Sequence, residues 1–143
     1  MSEASQPVLL VEDTEHDIVA TKRAWTQHKI PHPLIVVRDG EECLDYLLHR
    51  NQYQAAATAP RPLLILLDLN LPKIDGLTVL QQIRADKELQ GIPVIILTTS
   101  QSQEEKSRGY SLGVTRFLRK SVDYEKFSLA IKGIQVFLEN VSA

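Results

Sequence analysis

One cysteine, Cys43, in 143 residues leaves no internal disulfide and no cysteine metal cluster to form. That scarcity fits a reducing compartment, and a cytoplasmic protein is expected. Long hydrophobic runs are also missing. The longest aliphatic stretch, Leu63-Leu64-Ile65-Leu66-Leu67, is far shorter than the ~20 residues that span a bilayer. Residues 1–7 carry neither a basic flank nor an apolar segment, so neither a secretory signal nor membrane association is expected. An excess of one charge is equally absent: 16 Lys+Arg against 18 Asp+Glu gives −2 with histidine neutral. A surface built as a whole to grip nucleic acid is thereby excluded. What is present is ordinary for a globular chain, 43% hydrophobic and 24% charged residues. This length suits one domain, which buries roughly 70% of its unfolded surface without any staple.

Short apolar runs alternate with helical patterns five times along the chain. The runs are 8–11, 34–37, 63–67, 94–97 and a weaker one at 114–118. Continuous runs of this kind suit strands buried on both faces of a parallel sheet. Thr14-Glu15-His16-Asp17 reads as a capping-box start to a helix carrying Ile18, Thr21 and Trp25, with Trp25 packed on the sheet. Gly40 precedes a second helix through Leu44, Leu47 and Leu48, and Asp75-Gly76 opens a third with Val79, Leu80 and Ile83. A polar fourth helix spans 102–112 and is ended by Gly113. The fifth, 123–141, sets Tyr124, Phe127, Ile131, Ile134, Leu138 and Val141 on one stripe. Five βα units with right-handed crossovers predict an α/β fold, a doubly wound parallel sheet in the order 2-1-3-4-5. Its crevice lies at the carboxyl ends of the strands. The segment 50–62 falls outside this rhythm and reads as a long connection, with Tyr53 a mobile loop residue within it.

Glu12 and Asp13 end the first run and Asp68 the third. The predicted order makes those strands neighbours, so three carboxylates converge. A lone acid at a strand end is commonly a solvated cap, but three together require a proton or a cation. Oxygen donors with no histidine or cysteine beside them favour Mg²⁺ or Mn²⁺. The fourth strand ends in Thr98-Thr99-Ser100 and the fifth runs into Lys120, so a hydroxyl and an ammonium lean over the same crevice. A carboxylate nucleophile, a divalent cation, a lysine and a hydroxyl make a site for a phosphoryl group. His16, His28, His32 and His49 lack metal-ligand spacing and read as surface or packing groups, and Cys43 as a buried helix residue.

These residues resemble the receiver domains of two-component response regulators. The resemblance is carried by Val8-Leu9-Leu10-Val11-Glu12-Asp13, by Leu66-Leu67-Asp68-Leu69-Asn70-Leu71-Pro72 with Asp75-Gly76, by Pro93-Val94-Ile95-Ile96-Leu97-Thr98, and by Phe117-Leu118-Arg119-Lys120. It implies a flavodoxin-like receiver fold over residues 7–141, with tails at 1–6 and 142–143. Asp68 is then the phosphoacceptor, loaded by a sensor histidine kinase. Asp13 and Asp68 bind Mg²⁺ (or Mn²⁺) directly, Asn70 adds its backbone carbonyl, and Glu12 acts through water. Lys120 pairs with a phosphoryl oxygen, Thr98 moves its hydroxyl onto another, and Phe117 is the aromatic switch. Asn70 and Ser100 stand where hydrolysis of the aspartyl phosphate is tuned.

Two positions depart from the pattern. Ser121 follows Lys120 where receivers usually have a cis proline, and a cis bond before a non-proline residue costs ~2.5–4 kcal/mol. Thr99 stands where a small residue is usual, which predicts slower exchange of phosphodonor. Together with the long connection, these features resemble the small stand-alone receivers partnered with phytochrome-type kinases. No helix-turn-helix module follows the fifth helix, so no output domain and no direct DNA binding are expected. The response then runs through contacts with a downstream protein. Leu129 and Val136, a heptad apart and opposite the core stripe, are a candidate surface for a homodimer through the fourth and fifth helices and fifth strand. Such a protein is a switch rather than an enzyme. Other classes fit less well. A haloacid-dehalogenase-like phosphotransferase wants a second Asp where Asn70 stands, and the acidic Glu12-Asp13-Thr14-Glu15 would repel a flavin phosphate. A degenerate receiver that binds partners without phosphorylation would not need the intact acids and lysine.

Overall fold

The computed structural model describes residues 6–99 and 102–142. In chain order the elements are β1 (Val8–Val11), α1 (Glu15–Gln27), β2 (Leu34–Val37), α2 (Gly40–Leu48), β3 (Leu64–Leu67), α3 (Gly76–Ala85), β4 (Val94–Thr98), α4 (Gln103–Ser111), β5 (Arg116–Arg119) and α5 (Tyr124–Ser142). The strands form one parallel sheet in the order β2-β1-β3-β4-β5. Alternation along each strand divides the core in two. Leu9, Val11, Ile65, Leu67 and Ile96 face α2 and α3, meeting Cys43, Leu44, Leu47, Val79, Leu80 and Ile83. Val8, Leu10, Leu64, Leu66, Ile95 and Leu97 face α1 and α5, meeting Trp25, Phe127, Ile131, Ile134 and Leu138. Burial on both faces is why these strands read as unbroken apolar runs. Each such side chain contributes about 1.5–3 kcal/mol. Among the described residues no helix is long and apolar enough to cross a membrane.

Several local expectations are corrected. Thr14 caps α1 without a side-chain hydrogen bond, so the capping box does not form. Instead Glu12 Oε2 accepts from the backbone N–H groups of Asp13 (3.1 Å) and Thr14 (3.3 Å). The last strand is Arg116–Arg119 rather than 114–118. Val114 belongs to the exit of α4, donating its N–H to Gly109 O, after Gly113 turns the chain at a φ of 79°. Val141 is exposed and leaves the α5 stripe at Leu138. The connection before β3 holds two 3-10 turns, Asn51–Tyr53 and Ala56–Thr58. Tyr53 is no mobile loop residue: its ring packs edge-on against Tyr46 at 5.1 Å, and its hydroxyl donates to Glu42 Oε2 at 2.6 Å.

Arg84, near the end of α3, went unmarked by any sequence pattern. Its guanidinium donates to the carbonyls of Gln90 (3.1 Å), Ile92 (2.9 Å), Leu112 (3.2 Å) and Gly113 (2.9 Å), tying α3 to the approaches of β4 and β5. Arg84→Ala is expected to cost about 2 kcal/mol, since charged donors are lost from four carbonyls. A fall in the urea midpoint at constant slope checks it.

Candidate functional site

The register sets the chemistry. Val11 pairs with Leu67, so the residues just beyond β1 and β3 emerge side by side, and Asp68 N–H donates to Val11 O at 3.1 Å. Oxygens of Glu12, Asp13 and Asp68 all lie within 4.8 Å of one another. Glu12 and Asp68 are buried, whereas Asp13 is exposed at the mouth. On the far side, Lys120 N–H donates to Thr98 O at 2.8 Å, which draws the end of β5 over the same crevice. No cis peptide occurs among the described residues, and Lys120 reaches the crevice with Ser121 behind it.

The Lys120 ammonium, itself buried, donates to Glu12 Oε1, to Asp17 Oδ2 at 2.9 Å and to Asp68 Oδ2 at 3.3 Å. Three carboxylates thus meet one ammonium, and a fourth, Asp13, lies within 4.8 Å of two of them, an excess of negative charge that favours a cation. Burial pushes the Glu12 carboxyl up to about 7, against the opposing pull of Lys120. Burial lowers the Lys120 pKa, but the hydrogen bond to Glu12 and the charges of Asp68 and Glu12 outweigh it and hold the lysine above its ordinary value. With oxygen donors alone, the cluster has the chemistry that Mg²⁺ or Mn²⁺ takes. Glu12 spends both oxygens on Lys120 and on backbone N–H groups.

Of the other candidates, Asn70 is exposed on the loop after β3, its N–H donating to Asp68 Oδ1 at 3.4 Å. Thr98 is buried at the end of β4 and shares the wall of a cavity of about 250 Å³ with Phe117, Ser102 and Lys106. The half-buried Phe117 ring stands 5.3 Å from that of Tyr110 on α4. Thr99 is exposed, and Ser100 lies outside the described residues. Leu129 and Val136 are 65% and 52% exposed on the outer face of α5, remote in role from the crevice. Asp17 is the site residue that sequence reasoning missed. Its signal was its place: it lies in the first turn of the helix that follows Glu12 and Asp13, close to the same strand end.

A parallel five-stranded α/β sheet with acids and a lysine at its strand ends describes the response regulator receiver domain, and the chain belongs to that family, matching it over residues 8–132. Among curated relatives it is similar to the response regulator Rcp1 of Synechocystis sp., at 39% identity over 146 residues covering 99% of this chain and 97% of that protein. Two solved structures resemble it closely. The phosphorylated cyanobacterial phytochrome response regulator RcpA is 40% identical, with a TM-score of 0.86 and 93% of each chain covered. The Mn²⁺-bound form of Rcp1 is 38% identical, with a TM-score of 0.86 and 93% of this chain and 94% of that one covered. The protein is therefore a two-component receiver homologous to phytochrome-associated regulators.

Proposed function

We propose that the protein accepts one phosphoryl group on Asp68 from the phosphohistidine of a sensor kinase and signals through protein contacts that depend on it. The observation that carries this reading is the Lys120 ammonium donating to Asp68 beside the Glu12, Asp13 and Asp68 carboxylates. An Asp68 oxygen attacks phosphorus, the P–N bond to the donor breaks, and the leaving imidazole keeps the electron pair and takes up a proton. Lys120 stands ready to pair with a phosphoryl oxygen of the acyl phosphate that forms. Asp13, Asp68 and the Asn70 carbonyl are the groups that would hold Mg²⁺ or Mn²⁺, with Glu12 reaching it through water. Such a cation supplies neutralisation of the phosphoryl charge.

Thr98 and Phe117, walls of one cavity, then report the modification to the face of α4 and β5. Asn70 and Ser100 tune hydrolysis. The exposed Leu129 and Val136 support self-association through α4, β5 and α5. The likeness to RcpA, a phytochrome response regulator, supports a phytochrome-type kinase as donor, and the single cysteine supports a cytoplasmic setting.

Intact-mass spectrometry after incubation with acetyl phosphate and Mg²⁺ tests the proposal. One added phosphoryl group is expected, lost with EDTA and lost in Asp68→Asn. An unlabelled parent, or a label that survives Asp68→Asn, overturns it. A parent that stays unlabelled yet binds Mg²⁺ points to phosphorylation-independent binding.

A further inference from the structure

We infer that Asp17 is a positioning residue for Lys120, setting where the ammonium stands relative to the phosphoacceptor; the inference rests on the phosphoacceptor reading above. An ammonium has three N–H donors and no acceptor. Here the three go to carboxylates from three separate elements: Glu12 beyond β1, Asp17 in the first turn of α1, and Asp68 beyond β3. The contact to Asp17, 2.9 Å, is closer than that to Asp68, 3.3 Å. Glu12 and Asp17 therefore form the tighter grip, and Asp68 receives the looser third bond.

The Glu12 carboxylate is fixed by the N–H groups of Asp13 and Thr14, and Asp17 is carried on the helical backbone of α1, where its main-chain carbonyl accepts from the buried Thr21 hydroxyl at 2.7 Å. Asp17 is partly exposed, so it is not needed to fill the core. The consequence is mechanical. Lysine has a long, flexible stem with rotamer entropy to lose. With two anchors on separate elements it can redirect its third N–H from the Asp68 oxygen to an incoming phosphoryl oxygen without leaving the crevice. With Glu12 as its single remaining anchor, the ammonium is free to settle on the Asp68 oxygen that must act as nucleophile.

Asp17→Ala and Asp17→Asn separate this role from a mere change of charge. Both remove the same charge, but asparagine keeps an oxygen acceptor at the same place. In labelling with acetyl phosphate at saturating Mg²⁺, Asp17→Ala is expected to be about tenfold slower than the parent, and Asp17→Asn to recover most of that loss. The ¹⁵Nζ ammonium resonance of Lys120, read in metal-free protein, is expected to broaden in Asp17→Ala and to persist in Asp17→Asn. Circular dichroism confirms that both variants are folded. Equal labelling rates for the two variants, or an unchanged Lys120 resonance in Asp17→Ala, overturn the assignment alone. Failure of the parent itself to label overturns the phosphoacceptor reading and this assignment with it.

Discussion

Lys120→Met is expected to destabilise the metal-free protein by about 3–5 kcal/mol at pH 8 and to leave Asp68 almost unlabelled by acetyl phosphate. Removing one partner of a buried ionic cluster costs this much because the charges left behind have lost both solvent and counter-ion. Here Glu12 and Asp68 are left buried together, with Asp17 nearby and Asp13 within 4.8 Å of both. The sign with pH follows from Glu12. Its folded-state value is raised from 4.5 to about 7 by burial, so the folded protein binds the proton more tightly than the unfolded chain. That contribution is fully present below about 4.5 and is lost as the pH rises through 7. Without Lys120 the ionised form is penalised further, so the deficit of Lys120→Met should shrink at pH 5, where Glu12 is protonated. Mg²⁺ should also stabilise the variant more than it stabilises the parent, having more uncompensated charge to neutralise. Asp68→Asn works in the opposite direction: it abolishes labelling yet raises metal-free stability, since it removes one of the crowded carboxylates. Urea denaturation of the three proteins at pH 5 and pH 8, with and without Mg²⁺, reads all of these signs. A Lys120→Met loss that does not change with pH would contradict the placement of Glu12.

The strand at 8–11 was legible to the residue because both its faces are buried, and that at 34–37, an edge strand only half-buried at Leu34, Ile35 and Val36, because its apolar run stops where the sheet stops. The convergence of Glu12, Asp13 and Asp68 was legible for a related reason: strand order and strand ends are all that geometry requires. The edge strand β5 was harder. It is exposed at Arg116 and Arg119, and Val114, which belongs to the exit of α4, pulled the apolar pattern two residues early. Arg84 and Tyr53 were missed because their roles are long-range. Nothing local to a helix-terminal arginine announces four carbonyls brought from two other loops, and nothing near residue 53 announces a ring waiting on α2. Asp17 was hidden by a competing local reading, since an acid in the first turn of a helix is already explained by capping and by the helix dipole. The lysine that gives it a second meaning lies 103 residues away.

Gly76 shows the same limit at the site itself, and its substitution carries the second large expected effect. The sequence pattern marks it as the opening of a helix, eight residues after Asp68. In the folded chain the loop after β3 doubles back, so that Gly76 N–H donates to Leu69 O at 3.0 Å and the start of α3 lies against the backbone of Asp68. A Cβ at position 76 would stand 2.4 Å from Asp68 O and 2.7 Å from Leu69 Cα. Both are backbone atoms, so no flexible side chain can yield, and the strand end or the helix must move. Gly76→Ala is therefore expected to cost about 3 kcal/mol, at the upper end for overpacking, and to lower Tm by roughly 10 °C. Because the displaced group is Asp68 itself, the increase in Tm on adding Mg²⁺ should also shrink relative to the parent. Gly133 on α5 supplies the control of opposite sign: a Cβ there meets nothing within 4 Å, so Gly133→Ala should gain about 0.5–1 kcal/mol from helix propensity alone. Thermal unfolding of both variants with and without Mg²⁺ separates the cases, and a Gly76→Ala protein as stable as the parent would show that the loop after Asp68 is not closed in this way.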